Sequence, residues 1–242
     1  MITSHFDESL LDELLNTMMS WVSLVSLPVI AITGPPGVGK SLLASVLKHE
    51  LHSRHHLTAA TLCLDDFYWP KQQRMLNANT IHPLFLTRGV PGTHDIELMN
   101  GVVDEMLHSR HAGIRVPVFS KLLDDRLPFL DWLQLPDNVD FLILEGWCLG
   151  ASAEQASQLE VPINSLEREF DEDGQWRKKV NQFLATDYQL LFDRVDQYFF
   201  ITVNNFDDVY TLREQQEQSL MQESGMRQMP SEAIVPFMQY FE

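Results

Sequence analysis

The 242 residues are 45% hydrophobic, which is enough to bury a full core without disulfide or metal staples. A formal charge of −17 sets the surface against nucleic-acid backbones and anionic lipid, so neither is expected as a partner. Cys63 and Cys148 stand far apart, without metal-ligand spacing and in apolar surroundings, and predict two reduced core thiols in a cytoplasmic protein.

In chain order, residues 5–26 carry Leu10, Leu11, Leu14, Met18, Trp21, Val22 and Val25 at helical spacing, with Ser4 as a candidate cap. This predicts an N-terminal helix, 1–27, packed on the rest. The uncharged stretch 16–39 is broken by Pro28, serines and glycines, and the acids Asp7, Glu8, Asp12 and Glu13 before it have the wrong sign for a secretory leader. No membrane span is expected there. Pro28–Thr33 predicts a strand, and Leu42, Leu43, Val46, Leu47 and Leu51 a following helix. Leu57–Leu64 predicts a second strand, running into Asp65 and Asp66. Asp95 is placed to cap a helix carrying Ile96, Met99, Val103, Met106 and Leu107. Phe141–Leu144 predicts a central parallel strand ending at Glu145-Gly146, and Tyr198–Val203 a further strand. Residues 151–175 hold seven acids and one base without periodicity and predict a surface insertion.

Strands alternating with helices predict an α/β fold: a doubly wound, mostly parallel sheet with helices on both faces. The core is expected over 28–203, with a small helical lid and C-terminal segment over 204–242. Ligands of such sheets bind beyond the carboxyl ends of the strands, here Gly34, Asp65 and Glu145.

Gly34-x-x-x-x-Gly39-Lys40-Ser41 matches the phosphate-binding loop pattern in full, between a predicted strand and helix. The segment Gly34, Pro35, Pro36, Gly37, Val38, Gly39, Lys40, Ser41 and Leu42 is therefore assigned to nucleotide phosphates. Lys40 is expected on the β- and γ-phosphates and Ser41 on Mg²⁺. A hydroxyl nucleophile needs a carboxylate to take its proton, and Asp65 or Asp66 ends the second strand opposite the loop. Asp65 is the favoured base and Asp66 a substrate contact. Glu145, with Asp65, is a candidate for holding Mg²⁺. Arg88 and His94 flank a tight turn and are candidate substrate contacts. Lys121 and Arg126 are candidate anion binders in an acidic chain, and Tyr68, Trp69 and Trp147 could stack on an acceptor. Arg213 and Arg227 are candidates for stabilising charge on the transferred group, whereas Arg177, Lys178 and Lys179 predict a solvated helix face.

The order of LDDFY (64–68), RGVPGTHD (88–95), VPVFSKLLDDR (116–126), LEGWCLG (144–150), DGQWRKKVN (173–181) and a final G–M–E–V–F–Y pattern (225–240) resembles the D-glycerate 3-kinase type of P-loop kinase. That type lies within the phosphoribulokinase, uridine kinase and pantothenate kinase group. The resemblance implies a P-loop kinase core, ATP and Mg²⁺ as cofactors, Asp65 as base, Glu145 near the metal, and Arg213 as the lid arginine. It favours a small hydroxy acid, D-glycerate, as acceptor, with Arg88 or Lys121 meeting its carboxylate. The sequence departs from the type at Ser120, where an aspartate is common, and in ending soon after Tyr240, where the type continues: either the protein is short, or residues flanking the adenine lie further on. The competing readings are a kinase for a nucleoside or pantothenate-like acceptor, and a non-catalytic nucleotide-binding regulator. No Asn-Lys pair is present to recognise guanine.

Overall fold

A computed structural model describes residues 6–108, 113–224 and 229–242. The chain runs α1 (Glu8–Trp21), β1 (Val29–Thr33), α2 (Lys40–His55), β2 (Ala59–Cys63), α3 (Lys71–Thr80) and α4 (Ile96–His108). Short strands β3 (Arg115–Val116), β4 (Phe119–Ser120), β5 (Asp125–Arg126) and β6 (Leu133–Gln134) follow, then β7 (Phe141–Gly146). The last third holds α5 (Ser165–Phe170), α6 (Gln175–Ala185), α7 (Gln189–Phe192), β8 (Gln197–Phe200), α8 (Asp207–Ser224) and α9 (Ser231–Met238).

The central sheet has the order β2-β7-β1-β8, and each neighbouring pair is parallel. Strand side chains alternate between faces with period two, and that alternation divides the core. Val29, Ala31, Leu142 and Leu144 join Met99, Val103 and Leu191 on the face covered by α4 and α7. Ile30, Ile32, Phe141 and Ile143 join Leu11, Leu15, Met18, Val46 and Leu47 on the face covered by α1 and α2. Both faces of β1 and β7 are buried throughout, which is why they read as unbroken apolar runs. The helix expected over 5–26 spans Glu8–Trp21, with Asp7 as its cap. Ser4 lies outside the described residues. Asp95 Oδ1 accepts from the Leu98 amide at 3.1 Å and so caps α4.

The acidic segment 151–175 is more than a surface insertion. Asp171, 1% exposed, accepts from the Trp176 and Arg177 amides and from the Arg177 guanidinium. Arg177 is 6% exposed, so the solvated face expected there is corrected to a buried ion pair. A buried guanidinium is tolerable because the Leu159, Glu160 and Asp171 carbonyls accept from its other donors. No helix among the described residues is long and apolar enough to cross a membrane.

Candidate active site

The turn from β1 to α2 builds one wall. Gly37 and Gly39 sit at φ 84° and 94°, in the left-handed region that glycine enters at no steric cost. Gly39 is the N-cap of α2 and offers no side-chain acceptor, so the first free amides and the positive end of the helix are left to the cleft. The Lys40 ammonium donates to the Gly34 and Pro35 carbonyls at 2.9 and 3.0 Å, lying along the loop. Burial presses its pKa down, against the charges of Glu145 and Asp65.

Glu145 pairs in register with Ile32 on one side and Cys63 on the other, which sets it between the ends of β1 and β2. Its Oε1 accepts from the Ser41 hydroxyl at 2.6 Å. A hydroxyl and a carboxylate oxygen this close suit a hard dication that takes its other ligands from phosphate and water. Among the described residues no group of three or more His, Cys, Asp or Glu forms a full protein cage. The donor set therefore fits Mg²⁺ bound together with a nucleotide.

The facing wall starts where β2 ends in a 3₁₀ turn, Leu64–Phe67. Asp65 Oδ1 accepts from the Tyr68 hydroxyl at 3.1 Å, and Oδ2 lies 2.9 Å from the Lys121 ammonium. Burial pushes the Asp65 carboxyl up, but Lys121, His94 and Lys40 outweigh it and bring it down to about 2. The Asp65 charge in turn raises Lys121. Arg88 pairs with Asp124 through Nη1, and its guanidinium lies 5.6 Å from the Phe119 ring and 5.5 Å from the Phe237 ring. Arg213 reaches in from α8, holding Gln216 at 2.7 Å and Glu217, with its buried Nε unpartnered. The backbone of α8 lies against the loop: a Cβ on Gly37 would come 3.3 Å from Leu212. Together these residues, with Trp147, Phe237 and Phe241, enclose a cleft of about 290 Å³.

Of the residues expected at the acceptor, Tyr68, Arg88 and Lys121 line this cleft, and Asp66, His94 and Arg126 do not. One residue further round the 3₁₀ turn, Asp66 points away and accepts from the Phe119 amide at 3.1 Å. Burial raises its carboxyl to about 6. His94 stacks behind Tyr68, with centroids 4.3 Å apart, and its Nδ1 lies 2.6 Å from the Tyr188 hydroxyl. Burial holds it neutral, with a pKa of about 3. Arg126 turns inward to Asp95 at 3.0 Å and to the Phe67 and Tyr68 carbonyls, so it staples the wall from behind. Of the two acids expected at the metal, Glu145 stands beside Ser41, whereas the Asp65 oxygens meet Tyr68 and Lys121. Trp69 lines a different cavity, and Arg227 lies outside the described residues. Phe237 and Phe241 carry no chemical signature in the sequence; only the recurrence of the C-terminal G–M–E–V–F–Y pattern marks their segment.

No protein-family model matches the chain. The uncharacterized kinase mug58 of Schizosaccharomyces pombe is 30% identical over 221 residues, covering 88% of this chain and 78% of mug58. The probable ATP-dependent kinase TDA10 of Saccharomyces cerevisiae is 31% identical over 133 residues, covering 50% of this chain and 45% of TDA10. Among solved structures, a D-glycerate 3-kinase from Cryptococcus neoformans var. grubii superposes with a TM-score of 0.80 at 23% identity, covering 97% of this chain and 87% of that one. A parallel sheet with a phosphate-binding loop and carboxylates at the neighbouring strand ends defines a P-loop phosphotransferase. The extent of the match to mug58 makes the assignment narrower: the chain belongs to this family of ATP-dependent P-loop kinases.

Proposed function

We propose that the protein transfers the γ-phosphoryl group of ATP to a hydroxyl of a small hydroxy acid, with D-glycerate as the favoured acceptor. The observation that carries this reading is the charge of the cleft. Lys40, Arg88, Lys121 and Arg213 line it against Asp65 and Glu145, in a chain whose formal charge is −17. Cations concentrated there suit a triphosphate and a second, anionic reactant. The fold neighbour named for D-glycerate agrees with such an acceptor.

In this reading, the loop amides and Lys40 hold the β- and γ-phosphates, and Ser41 and Glu145 hold Mg²⁺. The metal, when bound, neutralises charge on the phosphate oxygens. The acceptor hydroxyl attacks the γ-phosphorus, the bond to the bridging oxygen of ADP breaks, and the hydroxyl proton passes to Asp65. A pKa near 2 keeps Asp65 ionised at every physiological pH. It also makes Asp65 a weak base toward a free alcohol, which is acceptable where bond formation to the nucleophile is little advanced in the transition state. Arg213 balances charge on the phosphoryl group in flight. The segment 204–242, with α8 and α9, serves as the lid of a core spanning 28–203, in a cytoplasmic enzyme.

The test is ADP release measured against a panel of hydroxy acids, nucleosides and pantothenate, with the phosphorylated product identified. Turnover with D-glycerate is expected. Turnover with uridine or pantothenate alone would end the hydroxy-acid reading.

A further inference from the structure

Phe237 and Phe241 belong to the C-terminal segment, yet both line the cleft. Phe241 packs edge-on against Trp147, with centroids 5.0 Å apart, and lies 5.3 Å from Phe237. It also rests on the backbone of the loop that carries Arg88: a Cβ added at Gly89 would come 2.9 Å from the end of its ring. The Trp147 indole donates to the Gly89 carbonyl at 2.8 Å, which locks the same loop from the other side. Phe237 covers Arg88. The three rings therefore form a continuous roof joining the Arg88 loop, the end of β7 and α9.

The roof is anchored at a distance from the chemistry. Ile234 and Met238 are buried against Val209 of α8. Gln239 receives hydrogen bonds from Asn164, Ser165 and the Leu166 amide, all between 3.0 and 3.2 Å. The neighbouring Tyr240 packs edge-on against Trp176. The segment 151–175 thus holds α9, and through it the two phenylalanines, in place.

We propose that this aromatic roof sets the length of acceptor the enzyme takes, and that Phe241 is its specificity-determining residue. The inference rests on the small-acceptor kinase reading above. Among the described residues, Arg88 pairs with the protein only through Nη1, to Asp124, so two of its nitrogens remain to meet an acceptor carboxylate. A cleft of about 290 Å³ must hold the reacting phosphoryl group and the acceptor together. An acceptor whose carboxylate meets Arg88 lies beside Phe237, and Phe237 and Phe241 line the cleft there together, so in this proposal a longer acceptor runs into their rings. An apolar wall of this kind discriminates by roughly ten- to two-hundredfold per methylene.

The test compares wild type with Phe241→Ala for kcat/KM on D-glycerate and on the six-carbon acid D-gluconate. The gluconate-to-glycerate ratio is expected to rise about tenfold or more in the variant, with KM for ATP unchanged. Phe241→Leu, which keeps more of the apolar contact, is expected to move the ratio the same way by less, and serves if the alanine variant does not fold. A wild type that uses D-glycerate, with a ratio unmoved in a folded variant, overturns the roof and leaves the kinase reading standing. A wild type that turns over no hydroxy acid overturns both.

Discussion

The phosphate-loop wall of the cleft and the wall that faces it are built in opposite ways. The first is one continuous turn, Gly34 to Leu42, whose geometry comes from its own glycines and from the helix it starts. The second is assembled from the end of β2, the 88–95 loop, the β4–β5 hairpin, α8 and α9, and two of its central charges are held by residues distant in sequence. Lys121 holds Asp65 across 56 positions and Asp124 holds Arg88 across 36. A wall made locally can be carried between proteins intact, whereas a wall made of crossings changes when any one of its supports changes. That difference explains how one kinase core can serve acceptors of many kinds.

Substitutions on the two walls separate them. Lys40→Ala has the largest expected effect, lowering kcat/KM for ATP by about a hundredfold or more, because it removes a charge used in both binding and transfer. Asp65→Asn is expected to cut kcat by roughly a hundredfold while leaving the ATP dissociation constant nearly unchanged. Unchanged turnover in that variant removes Asp65 as the base. Lys121→Met probes the same carboxylate from its support. Asp65 is ionised above its pKa of about 2, so activity that depends on it is lost only as pH falls toward that value. Without the Lys121 charge, burial is less opposed and the pKa rises, so the acid limb of kcat/KM should move to higher pH. An unmoved limb shows that Lys121 does not control Asp65. The smallest effect is expected at Gly92, at φ 97°, where a methyl group would strike Phe183. Gly92→Ala should cost about 1–3 kcal/mol in denaturant unfolding. It should weaken acceptor binding with little change in ATP binding; equal losses on both would contradict the independence of the two walls.

The sheet was legible in the chain because buried parallel strands must be apolar on both faces, as β1 and β7 are. The phosphate loop was legible because its constraints lie within a few residues. The choice between Asp65 and Asp66 was less so. In a 3₁₀ turn successive side chains diverge by about 120°, and only the direction of the turn off β2 says which of the two faces the loop. The roles of His94 and Arg126 were illegible for another reason. His94 is buried and Arg126 largely so, each in a motif that also reaches the cleft, and burial is a property of what packs over a residue. Arg126 is spent on Asp95 and two carbonyls, and His94 on Tyr188 and Tyr68.

By itself, then, the sequence determined the class of fold, the nucleotide grip and the acids at the strand ends, because propensity, period and backbone freedom act over a few residues at a time. The tertiary structure alone decided which cations line the cleft, which of the two aspartates faces the phosphate loop, and that two phenylalanines near the C-terminus line the same cleft. Those outcomes depend on distances between segments far apart along the chain, and no local pattern encodes them.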